Sequence, residues 1–269
     1  MFQRPLILGI VNITPDSFSD GGKYFAPDAA IAHARRLIED GAHIVDLGPA
    51  SSNPDAVLVP PEEEIRRLAP ALEVLAADGI AVSVDSFRPE TQAHALRHGA
   101  RYLNDIQGFD EPHFHPALAA SDARLILMHS IQQRGNADRR AAPEGDIVEH
   151  IGRFFEARIE RLERSGVARD RLILDPGMGF FLGPTPETSF EVLARLGEFK
   201  SRFGLPLLVS VSRKSFLRAV TGRAPQEAGA ASLAAEMLAA IGGADYIRTH
   251  EPRPLADALA VYAALEARR

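Results

Sequence analysis

Residues Leu6 to Asp20 read Leu-Ile-Leu-Gly-Ile-Val-Asn-Ile-Thr-Pro-Asp-Ser-Phe-Ser-Asp, and this stretch decides the fold. Its first part is a near-continuous apolar run, which is the pattern of a strand buried on both faces of a parallel sheet. The run ends at Asn12, and polar or turn-forming residues dominate the segment that follows. Such a loop adds little to stability but offers many polar groups for binding. The stretch therefore predicts a buried strand whose carboxyl end, at Asn12, belongs to a functional site.

The same event recurs seven more times along the chain, each time as an apolar run that ends in a polar or charged residue. These residues are Asp46, Asp85, Asn104 with Asp105, His129, Asp175, Ser212 with Lys214, and Arg248 with His250. The predicted strands are 5–12, 43–48, 80–85, 101–106, 124–129, 171–175, 206–212 and 244–249.

Segments with helical periodicity lie between the predicted strands. Five of them stop at a glycine directly before the next strand, as expected for a left-handed C-terminal cap: Gly41, Gly79, Gly99, Gly166 and Gly243. Weaker helical patterns cover 113–121, 187–202, 226–241 and 253–267.

This alternation predicts an α/β fold with a single (β/α)8 TIM-barrel domain over residues 1–269, because eight βα units in a chain of this length match that architecture. The alternative is a doubly wound open sheet, which usually has fewer strands and a glycine-rich phosphate loop after the first strand. Here the corresponding loop begins Asn12-Ile-Thr-Pro-Asp-Ser and lacks that glycine pattern.

Composition excludes several classes of protein. A hydrophobic content of 46% with 25% charged residues is typical of a globular chain. No apolar run approaches the roughly 20 residues of a membrane span, and the first strand begins too early to leave room for a signal peptide. A net charge of −6 argues against non-specific binding of nucleic acid, and the lack of cysteine fits a cytoplasmic protein. The partners expected are therefore small molecules, with neither membrane nor nucleic acid.

The strand ends predict a site for a planar heterocycle. Asp85, Asn104, Asp175 and Lys214 follow strands three, four, six and seven, and the carboxyl ends of barrel strands converge on one face. Carboxylates accept the N–H groups of a 2-amino-pyrimidinone edge, while the amide and the ammonium bind ring nitrogen and oxygen. The alternative is that Asp46, Asp85 and Asp105 only cap loops.

Two further groups suggest binding functions. Arg248 and His250 end strand eight, where phosphate sites recur in barrels, so they are candidate anion ligands. The alternative for Arg248 is an ion pair with a surface carboxylate. Phe180 and Phe181 follow strand six and form either a packed loop anchor or a wall of the pocket.

At these residues the chain resembles the dihydropteroate synthases, folate-pathway transferases that sulfonamides inhibit. The resemblance runs from the first strand to the eighth and rests on four motifs: residues 12–20, Leu174-Asp-Pro-Gly, Ser212-Arg-Lys-Ser and Arg248-x-His. It implies condensation of 6-hydroxymethyl-7,8-dihydropterin diphosphate with p-aminobenzoate to give 7,8-dihydropteroate and pyrophosphate. It also implies Mg²⁺ as a cofactor and a homodimer as the assembly to test.

The resemblance assigns roles to residues of this chain. The pterin would be held by Asp85, Asn104, Asp175 and Lys214. The diphosphate would be bound by Asn12, which would also ligate Mg²⁺, and by Ser52, Arg248 and His250. Asp20 would stabilise positive charge at the pterin methylene, which makes Asp20 and Lys214 the implied catalytic residues. The p-aminobenzoate would contact Ser52, Pro54, Phe180, Phe181, Ser212 and Arg213.

The second loop departs from the usual family pattern. Family members carry Gly-Gly-Glu-Ser-Thr-Arg-Pro-Gly, whereas this chain has Gly48-Pro-Ala-Ser-Ser-Asn-Pro-Asp55, so Asn53 stands where an anion-binding arginine is usual. Segments 48–51, 104–109, 128–130, 175–181 and 207–216 together resemble the sulfonamide-resistant, Sul-type branch, which also tolerates a changed second loop. This implies an active enzyme that tolerates sulfonamides.

Two other functions compete with this interpretation. Barrel methyltransferases that use methyltetrahydrofolate would share the pterin carboxylates but would need no diphosphate ligands, so Ser52, Arg248 and His250 argue against them. A non-catalytic pterin-binding paralogue could have lost turnover together with the loop arginine. Release of pyrophosphate separates both from a synthase.

Overall fold

A computed structural model describes residues 2–14, 27–52, 55–132, 135, 137 and 142–268. Eight parallel strands form its centre, in the order β6-β5-β4-β3-β2-β1-β8-β7. Each of the eight predicted strands is present. Their bounds are β1 Leu6–Asn12, β2 Ile44–Gly48, β3 Val82–Asp85, β4 Tyr102–Asp105, β5 Arg124–Met128, β6 Leu172–Asp175, β7 Leu208–Val209 and β8 Tyr246–Thr249.

The sheet closes into a barrel between β6 and β7. An isolated bridge joins Leu174 to Leu207, and the amide of Leu174 donates to the carbonyl of Pro206 at 2.9 Å. The predicted (β/α)8 barrel is therefore confirmed. Strand β7 is much shorter than the predicted 206–212, because Pro206 has no amide to donate and the chain turns at Val211, whose carbonyl accepts from Lys214.

Helices surround this barrel, and the described residues contain ten of them. They are α1 Pro27–Glu39, α2 Pro61–Ala77, α3 Pro89–Arg97, α4 His115–Ala119, α5 Ile147–Arg164, α6 Pro186–Ala194, α7 Leu196–Phe203, α8 Ser215–Thr221, α9 Gly229–Ile241 and α10 Pro252–Glu266. The five glycines predicted as helix caps adopt positive φ, between 76° and 99°. Their predicted left-handed conformation is confirmed.

One helix prediction was wrong in its extent. The segment 187–202 was expected to be one helix, but it divides into α6 and α7 at Arg195, where φ is −112° and ψ is 19°. Gly197 follows closely and is a weak helix former. The Arg195 guanidinium also reaches Asp146, the N-cap of α5, at 3.0 Å. The break places α6 and α7 separately around the barrel. Helix α8, directly after the Ser212–Lys214 turn, was not predicted.

The barrel interior has an apolar lower layer. One buried cluster contains Leu8, Ile44, Ile126, Ile173, Leu208 and Tyr246, one residue from each of six strands. Side chains alternate along a strand, so the residues two positions further on face the interior again. Those residues are Ile10, Asp46, Met128, Asp175, Ser210 and Arg248. We call this second set the upper layer. The strand period therefore places the charged side chains of the upper layer above the apolar lower layer.

Among the described residues, none of the helices combines the length and the apolar character needed to cross a bilayer.

Candidate active site

Arg248 lies at the centre of the upper layer, between two aspartates. Its Nε donates to Asp46 Oδ2 at 2.5 Å, and its Nη2 donates to Asp85 Oδ2 at 2.8 Å. The Asp46 side chain is fully buried, and that of Arg248 is 14% exposed, so these are interior ion pairs and not the surface pair of the alternative. Burial raises the pKa of Asp85 to about 7; Arg248 opposes this rise and Asp46 adds to it. Two carboxyl groups thus share one guanidinium.

Asp175 is anchored by the turn that follows it. Its Oδ1 accepts a hydrogen bond from the amide of Gly177 at 2.8 Å, and the residue is 2% exposed. Burial raises the pKa of this carboxyl to about 6. Gly177 has φ +74°, and a Cβ there would lie 2.4 Å from the carbonyl oxygen of His129. The turn therefore requires glycine and fixes one Asp175 oxygen at the end of β6.

Asn104 and Lys214 complete the predicted heterocycle site. Asn104 is paired in register with Asp85 and is 3% exposed. Its Oδ1 has no hydrogen-bond partner among the described residues, which leaves a buried acceptor for a ligand. Burial lowers the pKa of Lys214 to about 8; Arg248 lowers it further, whereas Asp175 and Asp85 raise it. Lys214 is therefore within electrostatic reach of both aspartates.

Asp105 belongs to a different arrangement. Its Oδ2 accepts from Gln92 Nε2 at 2.8 Å and its Oδ1 from the amide of Gln107 at 2.7 Å. The Gln92 contact joins the end of β4 to helix α3, and the Gln107 contact caps the loop that follows. The loop-capping alternative therefore describes Asp105, whereas Asp46 and Asp85 pair with Arg248.

The anion side of the predicted site joins Ser212 to His250. The hydroxyl of Ser212 lies 3.0 Å from His250 Nδ1 and also accepts the His250 amide at 3.3 Å. Burial lowers the pKa of His250 to about 3, and Arg213 and Arg248 lower it further. The imidazole is therefore neutral at physiological pH. Ser212, predicted beside p-aminobenzoate, here has its hydroxyl against this histidine.

Arg213 adopts a backbone conformation that is uncommon for a side chain with a Cβ. Its φ is +59°, and its amide donates to Ser232 Oγ at 2.9 Å. Its Nη2 pairs with Glu251 Oε1 at 3.2 Å. Residues in this region often occur at functional sites, where the surrounding structure compensates for the strain. Ser212 and Lys214 flank Arg213, so this turn sets the direction in which both side chains leave the backbone.

Phe180 and Phe181 differ in burial. Phe181 is 5% exposed and packs with Ile106, Met128 and Ala137, while Phe180 is half-buried against the edge of that cluster. The ammonium of Lys214 lies 4.9 Å from the centroid of the Phe181 ring, a cation–π distance. Phe181 is thus a packed anchor beneath Lys214, and Phe180 is the more open ring.

Of the remaining predicted residues, the structure describes Asn12 and Ser52. Asn12 is exposed at the end of β1, and its Oδ1 would lie 3.4 Å from a Cβ at Gly48. Ser52 is half-buried, and its carbonyl accepts from the amide of Ala137 at 3.0 Å. Asp20, Asn53 and Pro54 lie outside the described residues. Within the described part of the chain, no group of three or more acidic or histidine side chains could hold a metal ion.

Sequence reasoning missed three residues that support the site. Asp46 was recognised as a strand end but received no role. Ser232 and Glu236 lie on α9 behind the Ser212–Lys214 turn, and each is 2% exposed. The available signal was a pair of polar residues one helical turn apart on the otherwise apolar helix Gly229–Ile241.

Comparisons with known proteins agree with this geometry. The model of the pterin binding enzyme family matches residues 8–250. A dihydropteroate synthase type-2 from Escherichia coli is 64% identical over 266 residues, covering 99% of this chain and 98% of the relative.

Two solved structures from Xanthomonas albilineans are similar over nearly the whole chain. The dihydropteroate synthase with 4-aminobenzoic acid has a TM-score of 0.90 and 39% identity, covering 98% of this chain and 94% of that one. The complex with 7,8-dihydropteroate has a TM-score of 0.87 and 38% identity, with the same coverage. The chain therefore belongs to the dihydropteroate synthases, transferases within the pterin-binding enzyme family.

Proposed function

We propose that this protein condenses 6-hydroxymethyl-7,8-dihydropterin diphosphate with p-aminobenzoate, and that it does so in the presence of sulfonamides. The observation that carries the proposal is the convergence of Asp85, Asn104, Asp175 and Lys214 above an apolar layer. Relatives that share the chain's whole length are named for this reaction. The names of these relatives favour neither of the two alternatives, a methyltransferase and a non-catalytic paralogue.

The pterin would lie across the upper layer with its polar edge toward the strand ends. Asp175 and Asp85 would accept its N–H groups, and the unpaired Oδ1 of Asn104 would accept another. Lys214 would donate to ring nitrogen or oxygen. A ligand that donates to these buried oxygens removes the cost of leaving them without partners.

The diphosphate would be directed toward Arg248 and His250. Arg248 is held by two carboxylates in this structure, so its guanidinium has a fixed position. From there it would help neutralise the negative charge of the diphosphate. Neutral His250 can donate one hydrogen bond from its ring. Ser52 and Asn12 would contribute from the two loops that follow β1 and β2.

The donor set suits a Mg²⁺ ion that arrives with the diphosphate. Asn12 offers one exposed amide oxygen, and Mg²⁺ commonly takes one or two protein oxygens together with substrate phosphates and water. A bound ion would neutralise charge on the leaving group. We assign the metal contact of this chain to Asn12.

In the proposed reaction the bond between the pterin methylene carbon and the diphosphate oxygen breaks, and its electron pair leaves with pyrophosphate. The aniline nitrogen of p-aminobenzoate then forms the new C–N bond and loses a proton. Asp20 would stabilise the positive charge on the methylene, and Lys214 would hold the pterin in place. Fixed orientation of the two reactants supplies much of the rate.

The p-aminobenzoate would lie beside the β6 and β7 loops, against Ser52, Pro54, Ser212 and Arg213. Phe180 is the ring we place at the far end of this pocket, because Phe181 is packed beneath Lys214. A stiff ring there would meet the tetrahedral sulfonyl group of a drug but not the planar carboxylate of the substrate. This is the proposed basis of sulfonamide tolerance.

The proposal includes a homodimer and a cytoplasmic location. Exposed apolar side chains lie on two neighbouring helices, Leu238 and Ile241 on α9 and Val261 and Leu265 on α10, and a second copy would cover them. The lack of cysteine in the sequence is in keeping with the cytoplasm.

The test is release of pyrophosphate from purified protein. We expect release that requires both the pterin diphosphate and p-aminobenzoate. Lys214→Ala should lower kcat/KM roughly 30- to 1,000-fold, since a charge-assisted contact in a closed site is worth about 2–4 kcal/mol. Lys200→Ala is the matched control, because Lys200 is a surface residue paired with Asp245 at 2.6 Å. Absence of release, or near-normal activity of Lys214→Ala, contradicts the proposal.

A further inference from the structure

Helix α9 presents two polar side chains to the back of the site, and only one of them is explained by the contacts above. Ser232 holds the strained turn, since its Oγ accepts the amide of Arg213 at 2.9 Å. Glu236 lies one helical turn further on and is 2% exposed. A buried carboxyl group is costly unless it is well paired. Glu236 therefore requires a separate explanation.

The surroundings of Glu236 connect it to the anion side. The hydroxyls of Thr249 and Ser212 interact with its carboxyl group, while Oε1 has no hydrogen-bond partner in the described part of the chain. Burial raises the pKa of Glu236 to about 7. Thr249, Ser212 and Arg213 oppose this rise, and Glu251 adds to it. The group can thus gain or lose its proton near neutral pH.

Ser212 continues the connection to His250. Its hydroxyl is 3.0 Å from His250 Nδ1, so Nε2 is the ring nitrogen left for a ligand. A neutral imidazole carries hydrogen on one nitrogen only, and the hydrogen bond at the other nitrogen decides which one. An oxyanion needs Nε2–H. That form requires Nδ1 to accept the hydroxyl hydrogen of Ser212.

The direction of the Ser212 hydroxyl depends on the carboxyl behind it. A protonated Glu236 donates to Ser212 Oγ, the hydroxyl then donates to Nδ1, and the hydrogen of the ring remains on Nε2. An ionised Glu236 instead accepts the hydroxyl hydrogen, so Nδ1 must carry hydrogen and donate to Oγ. Nε2 is then a bare acceptor that repels an oxyanion.

We propose that Glu236 is a positioning residue that sets the tautomer of His250 through Ser212 and thereby keeps Nε2–H available to an anion. This inference rests on the proposed function. It adds to that function a residue that lies behind the diphosphate site. Other charged groups face the same chain of contacts. They are Arg213, Arg248, Lys214 and His33 around His250, and Arg213 and Glu251 around Glu236.

The experiment measures the tautomer of His250 directly by ¹⁵N NMR of labelled, ligand-free protein at pH 6 and pH 8.5. The resonance is assigned by its loss in His250→Asn. We expect Nε2–H in the parent at pH 6 and Nδ1–H at pH 8.5. Glu236→Gln cannot ionise and should hold one tautomer at both values. Ser212→Ala removes the hydroxyl between Glu236 and His250 and should also abolish the change of tautomer with pH. This second variant keeps the proposal testable if Glu236→Gln does not fold.

Glu64→Gln is the matched control. Glu64 is another carboxyl group, 2% exposed, with hydroxyl partners in Ser86 and Thr91, but it lies on α2 away from His250. This variant should keep the tautomer change of the parent. Calorimetry with inorganic pyrophosphate gives a second readout. Between pH 6 and pH 8.5 the parent should lose about tenfold more affinity than Glu236→Gln, as expected for loss of one charge-assisted hydrogen bond.

An unchanged tautomer in the parent, or a change that persists in Glu236→Gln, overturns the proposal. Neither measurement depends on turnover, so a failure of the proposed synthase activity is recognised separately by the pyrophosphate-release assay.

Discussion

The two layers of the barrel interior come from the same strands, two residues apart, and differ in chemistry, because only the upper layer contains charged side chains. The lower layer is apolar and buried throughout, and each such side chain contributes about 1.5–3 kcal/mol to stability. The upper layer contains Asp46, Asp175 and Arg248, whose burial costs stability unless their charges are paired. The comparison shows that stability and ligand binding depend on different layers along the barrel axis. The lower layer stabilises the fold, and the upper layer presents buried charged side chains to a ligand.

The largest effect is expected from damage to the lower layer. Ile173→Ala removes a fully buried side chain and should lower the free energy of unfolding by about 2–5 kcal/mol. Pterin affinity of the folded variant should stay near the parent value, because no binding group is removed. Denaturant unfolding and calorimetry measure the two quantities. The exposed Val261→Ala is the control and should change stability by less than about 0.5 kcal/mol. A stable Ile173→Ala protein would show that the lower layer is not the support described.

The next effect concerns the loop above the upper layer. Phe180→Gly should make the enzyme roughly 30- to 150-fold more sensitive to sulfamethoxazole, since a clash of about 2–3 kcal/mol is removed. The KM for p-aminobenzoate should change little. Inhibition curves and substrate kinetics provide the measurement.

Phe181→Gly is the matched comparison, because its ring is packed with Ile106 and Met128. We expect that variant to lose stability and to disturb Lys214 as well. A parent enzyme that is itself sensitive, or two glycine variants as tolerant as the parent, would show that the wall does not exist.

The smallest effect is expected from Asn53, which lies outside the described residues. Asn53→Arg restores the cation that is usual in the family's second loop. It should strengthen binding of the pterin diphosphate by about 1 kcal/mol or less, the usual size of a single ion pair that is open to solvent. Calorimetric titration at low and moderate salt is the appropriate measurement. No gain in affinity would mean that the loop has been rebuilt around Asn53.

The elements of the fold were predictable because local signals agreed with the tertiary structure. Apolar runs ending at Asp46, Asp85, Asp175 and Arg248 marked strands, and their common end marked the site. The limits of β7 were not predictable, because closure of the barrel near Pro206 depends on contacts between distant strands. The break at Arg195 was also missed, since its guanidinium reaches Asp146, the N-cap of α5, which is distant in the sequence.

The site was predictable in its membership but not in its contacts. Sequence order cannot show that Arg248 pairs with Asp46, which lies 202 positions away, or that Phe181 is packed while Phe180 is open. Glu236 was missed for a similar reason, although its helical spacing from Ser232 was visible in the sequence. A single acidic residue on an apolar helix acquires meaning only when the fold places Ser212 and Thr249 beside it.

The most direct test of the separation between layers is Asp175→Asn, measured for stability and pterin binding at pH 8. Burial raises the pKa of Asp175 to about 6, so the folded parent loses stability as pH rises from the unfolded value of about 4 through 6. Asparagine keeps the acceptor for the Gly177 amide but cannot ionise. The variant should therefore be as stable as the parent or more stable, by up to about 3 kcal/mol, and should bind 6-hydroxymethylpterin at least about tenfold more weakly. A variant that is less stable at pH 8, or that binds the pterin as tightly as the parent, would contradict the account.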